Sequence, residues 1–312
     1  MVLTYSETRM LSPKVMVTAG MDMDYLNALG EVMTAQPHLK LEYQVAPSTV
    51  VAAQYGSARA EGSDSLLERV GMLNAFPRLT ESDYRLKMER LNHTEASLSR
   101  RIGKTARVQL ASYIDSFHNT AVWGNQTTGA SWLAGNFIPN PASHGIMMNA
   151  GDYQSGGFRA VYSQTFGGHV ETLVSYATGN ALVARGVMST DTPQNPQALL
   201  RPQQTTALTG KISAEIPVTH TRIITSYERV PNDPVTLVDP YGQAMLQVQP
   251  YLGVQIRQPL PTFSFFPAHI EALADFRNLT AQGYVPVSQG GEKPVVLSSG
   301  YRCIRGGFSV QF

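Results

Sequence analysis

The last residues of the chain are Ile304-Arg305-Gly306-Gly307-Phe308-Ser309-Val310-Gln311-Phe312, and their pattern is the most specific indication of the fold. In an extended strand, one face of this segment would carry Ile304, Gly306, Phe308, Val310 and Phe312. The other face would carry Arg305, Gly307, Ser309 and Gln311. A period of two residues is typical of a β-strand with one apolar and one polar face. A bulky aromatic at the last position is unusual, because the ends of soluble chains are mostly frayed and polar. The segment Tyr301–Phe312 is therefore predicted to be an amphipathic strand whose final residue is held in an apolar environment.

The same period of two recurs along most of the chain. In Leu208–Ile216, apolar or small residues alternate with Thr209, Lys211, Ser213 and Glu215. The pattern predicts about thirteen antiparallel strands: Val2–Met10, Val15–Tyr25, Leu39–Val45, Thr49–Ser57, Tyr84–Ile102, Thr105–Phe117, Gly157–Phe166, His169–Thr178, Thr206–Ile216, Thr219–Arg229, Gln249–Arg257, His269–Leu279 and Tyr301–Phe312. The sequence thus predicts an all-β fold.

The links between these strands alternate in length. Short links carry the glycine or proline that tight turns require, as at Gly103 and Pro47. Between them lie long polar stretches near residues 58–83, 118–156, 179–203, 230–248 and 280–294. Long structureless connections are uncommon in compact soluble domains. Transmembrane β-barrels, in contrast, have short turns on one side of the membrane and long loops on the other.

Alternation alone fits a soluble sandwich as well as a membrane barrel, because it leaves open whether the apolar face meets a core or lipid. The link pattern favours the barrel. The chain has no run of about 18 apolar residues that a spanning helix needs. We therefore predict an antiparallel up-and-down transmembrane β-barrel that occupies residues 1–312 as a single domain.

The composition limits the possible partners. Only 15% of the 312 residues are charged and the net charge is +1, so no basic surface for a nucleic acid is predicted. The single cysteine, Cys303, excludes an internal disulfide and a cysteine-rich metal site. The first residues do not form a signal peptide with a basic and then an apolar region. We expect an exported chain to have lost such a segment or to begin partway along a longer protein.

The chain resembles the C-terminal barrel part of TonB-dependent receptor-like proteins. The resemblance is carried by Arg302–Phe312, by Arg277–Tyr284 and by the alternating hairpins from residue 13 onward. It implies a location in the bacterial outer membrane, contact with outer-membrane lipid and a role in the uptake of a ligand. It also implies that the barrel-assembly machinery recognises the last strand through Phe308, Val310 and Phe312. A plug domain and a TonB box are not recognisable here, so a link to the TonB system is expected only through a missing N-terminal plug.

The strand count suggests an incomplete barrel. Single-chain bacterial barrels have even strand numbers, whereas the count here is about thirteen. We therefore expect an open or imperfectly closed sheet in which Val2–Met10 is an unpaired edge. Two alternatives remain: a passive porin-like channel, and a soluble β-sandwich or lectin-like binding module.

Charged side chains on the polar faces of long strands are the candidate functional residues. They are predicted to line the barrel lumen, because a charge facing lipid is costly: Arg85, Lys87, Glu89, Arg107, Asp115, Lys211, Glu215, Glu271, Asp275 and Arg277. The seven histidines are scattered without close pairing, and they are predicted to be lumen or loop residues instead of metal ligands or catalytic groups. No catalytic motif is recognisable, so we predict neither an enzyme nor a catalytic, cofactor or metal site.

Overall fold

The computed structural model describes residues 2–27, 31–57, 79–82, 85–125, 137–139, 145–185, 196–261, 269–288 and 295–311. In chain order its elements are β1 (Val2–Ser12), β2 (Val15–Asn27), β3 (Glu31–Ala46), β4 (Thr49–Ser57), β5 (Leu79–Ser82), β6 (Arg85–Met88), β7 (Arg90–Ile102), β8 (Ala106–His118), β9 (Ala121–Asn125), β10 (Phe137–Pro139), β11 (Ile146–Asn149), β12 (Tyr153–Phe166), β13 (Val170–Ala184), α1 (Pro196–Leu199), β14 (Leu200–Ile216), β15 (Thr221–Arg229), α2 (Pro240–Leu246), β16 (Gly253–Leu260), β17 (His269–Arg277), β18 (Val285–Ser288), β19 (Val295–Ser298) and β20 (Cys303–Gln311). Neither of these helices is long and apolar enough to cross a membrane.

Within the described ranges, thirteen strands form one main sheet in the order β1-β2-β3-β4-β7-β8-β12-β13-β14-β15-β16-β17-β20. Every neighbouring pair is antiparallel, so the chain runs up and down along the sheet. Each of the thirteen predicted strands is present in the predicted order. The structure lengthens some of them: β3 begins at Glu31 and β13 ends at Ala184. The predicted all-β, antiparallel up-and-down fold is confirmed.

Tight turns join the strands at one end of the sheet, here called the short-turn end. In the β7–β8 hairpin, Ile102 pairs with Ala106 across a turn in which Gly103 has a φ of +64°. A glycine adopts this left-handed conformation without strain, because it has no Cβ. The opposite end, here called the long-link end, carries the long connections that follow β4, β8, β13, β15 and β17.

The predicted strand Tyr84–Ile102 is interrupted. Residues Arg85–Met88 pair with Leu79–Ser82 in a separate two-stranded sheet, and the main-sheet strand begins at Arg90. The break lies at Glu89, whose Oε1 atom accepts a hydrogen bond from the Ala121 amide at 2.9 Å. This contact ties the break to β9, a strand that lies outside the main sheet.

A second sheet, which the sequence did not predict, is built from the long links. Its five strands have the order β10-β11-β9-β19-β18. It packs on the long-link end of the main sheet through an apolar core that contains Phe117, Val122, Ile146, Met148, Tyr153, Leu182, Leu200, Val235 and Leu297. The strand Ile146–Asn149 is buried at every position, so its sequence shows no alternation. We call this sheet and its core the cap.

The main sheet exposes its apolar face and buries much of its polar face. In β14, Leu208 is 52% exposed, whereas its neighbour Thr209 is 5% exposed. The outer face of the sheet also carries exposed Ile114, Phe158, Val174, Tyr176 and Ile212. A soluble β-sandwich shows the reverse arrangement, because its apolar faces form the core.

The polar face is concave. Tyr241 and Gln243 lie two residues apart on α2, yet Tyr241 stacks on His93 of β7 and Gln243 binds Glu228 of β15. In a flat sheet β7 and β15, five strands apart in the order, would be separated by about 24 Å at ~4.8 Å per strand. One short helix reaches both strands because the sheet curves around it. The curvature is that of a barrel wall, and we call the concave face between β7 and β15 the trough.

The sheet is open in the part of the chain that the structure describes. There, β1 pairs only with β2 and β20 pairs only with β17, and no hydrogen-bonded ladder joins β1 to β20. The predicted open, curved sheet with Val2–Met10 at one edge is confirmed.

Candidate functional site

The predicted lumen-lining residues fall into two groups. Those on the main sheet share the concave polar face by strand register: Arg107, Asp115, Lys211, Glu215, Glu271, Asp275 and Arg277. Arg85 and Lys87 lie on β6 and Glu89 lies in the link that follows it, so these three belong to the region beside the main sheet. That these ten residues line a barrel lumen remains a prediction.

Asp115 belongs to a group of charged side chains in the trough, here called the buried charge cluster: His93, Glu95, Asp115, Arg159 and Asp239. Strand β7 supplies His93 and Glu95, β8 supplies Asp115, and β12 supplies Arg159. Asp239 comes from the long link between β15 and β16. His93 is 1% exposed and Arg159 is 2% exposed, so these ion pairs are shielded from water.

His93 lies between two carboxylates. Its Nδ1 atom is 2.5 Å from Oδ1 of Asp115, and its Nε2 atom is 3.2 Å from Oε2 of Glu95. Both contacts are satisfied together when both ring nitrogens carry a proton, because only the imidazolium donates twice. The Tyr241 ring stacks on the His93 ring with a centroid distance of 3.8 Å and an interplanar angle of 11°. His93 thus connects the sheet to the link that carries Tyr241.

Arg159 bridges the sheet and the same link. One guanidinium nitrogen, Nη2, donates to Glu95, and the other, Nη1, donates to Oδ2 of Asp239 at 2.7 Å. Asp239 is also the N-cap of α2, since its Oδ1 atom accepts a hydrogen bond from the Gly242 amide at 2.9 Å. The ion pair therefore fixes the first turn of the helix to the wall of the trough.

Further polar contacts extend this attachment along the link. Gln243 donates from Nε2 to Oε2 of buried Glu228 at 2.5 Å, and Thr209 donates to the same oxygen at 3.1 Å. The Lys211 ammonium donates to the Leu246 carbonyl oxygen at 2.6 Å. The Tyr113 hydroxyl lies 3.3 Å from the Val238 carbonyl oxygen. The link is thus held by strands on both sides of the trough.

The arrangement is suited to fastening the link to the sheet. Among the residues that the structure describes, no group of three or more His, Cys, Asp or Glu side chains has the arrangement of a metal site. Each charged side chain of the cluster instead faces a side chain of opposite charge at close range.

Beside the cap, the exposed Asp152 carboxyl contacts the His118 ring and the Asn119 amide. Partial burial by itself would raise the pKa of the Asp152 carboxyl. The Asn119 amide and His118 outweigh this effect through hydrogen bonds of 2.8 and 3.0 Å, and they hold the pKa of Asp152 below its usual value. Asp152 therefore stays ionised and ties the start of β12 to the end of β8.

Sequence reasoning identified only Asp115 from the cluster. A signal for His93 and Glu95 was present, since they continue the alternate positions of β7 and lie opposite Asp115 and Tyr113 in register. The run Asp239-Pro240 also has the form of a helix N-cap followed by proline at the first helical position. The histidines were predicted to be lumen or loop residues, and that prediction gave no indication that His93 would lie between Glu95 and Asp115 at the centre of the cluster.

The structure describes two of the three residues of the predicted assembly signal. Phe308 is 73% exposed and Val310 is 43% exposed, and both lie on the apolar face of β20. Phe312 lies outside the described residues. Recognition of this strand by the assembly machinery stays a prediction.

The fold and the cluster together define a curved, up-and-down antiparallel sheet of the barrel-wall type that carries an internal link on its concave face. Neither a protein-family model nor a curated protein matches the chain. Among solved structures, the chain is similar to the siderophore receptor PirA from Pseudomonas aeruginosa, with 9% identity and a TM-score of 0.38. It is also similar to the outer membrane transporter YddB from Escherichia coli, with 12% identity and a TM-score of 0.40. Both alignments cover 100% of this chain, which spans about half of theirs, 48% and 45%.

Proposed function

We propose that the chain forms the wall of a transmembrane β-barrel in a bacterial outer membrane and that this barrel takes part in transport of a ligand. The observation that carries the proposal is the apolar outer face of the main sheet, where Leu208, Ile212 and their neighbours are exposed. Large contiguous apolar surfaces are rare on soluble monomers. In a bilayer the same surface meets hydrocarbon, as the outer face of a barrel does.

Strand length supports the same proposal. The strands of the main sheet contain between 8 residues, in β16, and 17 residues, in β14. A tilted strand needs about 9–11 residues to cross the apolar layer of a membrane. The charged residues of the trough lie on the concave face, away from the apolar surface. This division is the one that a lipid-facing wall requires.

The finer proposal is that the barrel belongs to a receptor similar to the TonB-dependent ones and takes up an unidentified ligand. The sequence resemblance supports it, and so does the long-link end, where the links fold into a cap that a ligand would meet first. Outer-membrane lipid and the barrel-assembly machinery are the proposed partners, with the TonB system acting through a plug upstream. A passive porin-like channel is less well supported, because side chains fill the trough at the buried charge cluster.

Membrane fractionation tests the proposal. When the chain is expressed with an export signal, we expect to find it in the outer-membrane fraction and to need detergent to extract it. We also expect it to migrate faster on gels before heating than after heating. A chain that is monomeric and stable in plain buffer would contradict the proposal and support the soluble binding module instead.

Adjacent substitutions on the two faces of β7 provide a sharper test. Leu98 is exposed on the outer face, whereas Ser99 lies on the polar face at the same depth. We expect Leu98→Arg to lower the free energy of unfolding in a bilayer by about 2–4 kcal/mol if the position is near mid-membrane. Ser99→Arg is the matched control and should cost much less. Urea titration of the reconstituted protein measures both changes. Equal losses of unfolding free energy would show that the assignment of the lipid-facing and polar faces is wrong.

A further inference from the structure

The link between β15 and β16 folds into the trough instead of extending away from it. We call residues 230–252 the gate segment. Its Val235 and Val238 are buried, Val238 packs on Ala181 and Ala207 of the trough, and Tyr241 and Asp239 reach the opposite wall at His93 and Arg159. The segment therefore occupies the cross-section between β7 and β15.

The trough has different surroundings on the two sides of the gate segment. Towards the short-turn end, Arg107 and Glu215 of the polar face are exposed. At the level of the segment, polar-face residues such as Glu95 and Glu228 are almost completely buried. The gate segment thus separates a hydrated part of the trough from the cap.

The middle of the gate segment contacts the main sheet through side chains, whereas backbone hydrogen bonds hold it near its two ends: the Val235 amide donates to the Leu182 carbonyl oxygen at 2.8 Å, and the Glu228 amide donates to the Tyr251 carbonyl oxygen at 3.4 Å. Its contacts with β7 and β12 are made by side chains, not by strand pairing. Residues with positive φ bracket it: Asn232 and Asp233 near its start, and Gln247 and Tyr251 near its end. Such terminal positions are where hinges absorb backbone changes.

The chemistry of the attachment also points to more than stability. A buried ion pair gains little over well-packed apolar side chains of similar size, because both charges lose their hydration. Such an ion pair can instead select one position of the segment, because it forms only when Arg159 and Asp239 meet, and a polar ligand that brings its own charge can replace one of the two partners.

From this geometry we infer that residues 230–252 are a built-in gate: they block the water path along the trough, and their release from Arg159 and His93 opens it. The inference rests on the proposed function, because it assigns the passage of solutes in that barrel to one segment. The gate's contacts at Asp239 and Tyr241 are the ones that a passing polar solute has to displace.

Thiol labelling tests the gate. In a Cys303→Ser background, Ala207→Cys lies under the gate segment and Arg107→Cys lies on the exposed polar face. With a charged, water-soluble methanethiosulfonate, we expect rapid labelling at position 107 and protection at 207. The double variant Asp239→Ala/Tyr241→Ala should remove the protection at 207 and leave 107 unchanged. Met245→Ala, an exposed position of the same helix, is the matched control and should keep the protection.

Only protein that shows the heat-modifiable, folded band is scored, so a failure of membrane assembly counts against the proposed function and not against the gate. Labelling of Ala207→Cys as fast as Arg107→Cys without the double substitution would overturn the gate, whether or not the double variant folds. Continued protection at 207 in the folded double variant would overturn the role of Asp239 and Tyr241 as its fastenings.

Discussion

Replacing Arg159 by methionine is expected to lower the free energy of unfolding by about 3–5 kcal/mol, the cost of leaving buried charges without their partner. Arg159 is the shared donor to Glu95 and Asp239, and all three side chains are almost completely buried. Without the guanidinium, Glu95 and Asp239 lose the cation that they share, while Glu95 keeps its contact with His93 at 3.2 Å. Urea titration of the reconstituted protein measures the loss.

Two controls separate the ion pair from the loss of a long side chain. Arg107→Met removes an exposed arginine from the same face of the sheet and should change stability by about 0.5 kcal/mol or less. The triple variant Arg159→Met/Glu95→Gln/Asp239→Asn also removes the two carboxylate charges that Arg159 compensates, and it should recover much of the loss. A cost for Arg159→Met no larger than that for Arg107→Met would contradict the description of the cluster.

Changes to the apolar face of the last strand are expected to prevent membrane assembly while synthesis continues. Removing Phe312, or replacing it with aspartate, deletes the terminal aromatic that the sequence resemblance assigns to recognition by the assembly machinery. Phe308→Asp places a charge on the same apolar face, where the wild-type ring is exposed. Both changes should abolish the heat-modifiable band in the outer-membrane fraction.

Gly307→Asp is the matched control in this strand. Gly307 lies on the opposite face from Phe308, and a Cβ atom added there would meet no heavy atom within 4 Å. The aspartate therefore has space on the polar side, and we expect assembly close to the wild-type level. Normal assembly of the Phe308→Asp or Phe312→Asp chain would refute the assigned role of the apolar face.

The alternating pattern was sufficient to predict the main sheet. Each hairpin, for example β14–β15, has one apolar and one polar face, so apolar and polar residues alternate along its sequence. The cap could not be predicted in this way. Its strands have three to five residues, and β11 is buried at every position, so they leave no period to detect.

The buried charge cluster was only partly predictable for a different reason. The register of β7 and β8 places Glu95 and Asp115 on the same face of the main sheet, and the alternating sequence pattern is enough to predict this placement. The contacts of Asp239 and Tyr241 depend instead on a long link that folds back into the trough. Such a return is decided by long-range packing of the link, for which periodicity holds no information.

The most direct test of the central claim, that the exposed apolar face meets lipid, is a scan of β14 with single spin labels in a bilayer. Cys303 is the one native cysteine, so a Cys303→Ser background allows each position from 207 to 216 to be labelled alone. We expect oxygen accessibility with a period of two, high at Leu208, Ile212 and Ile216, together with exclusion of a water-soluble nickel reagent there. High nickel accessibility at those positions, or no period of two at all, would contradict a lipid-facing wall.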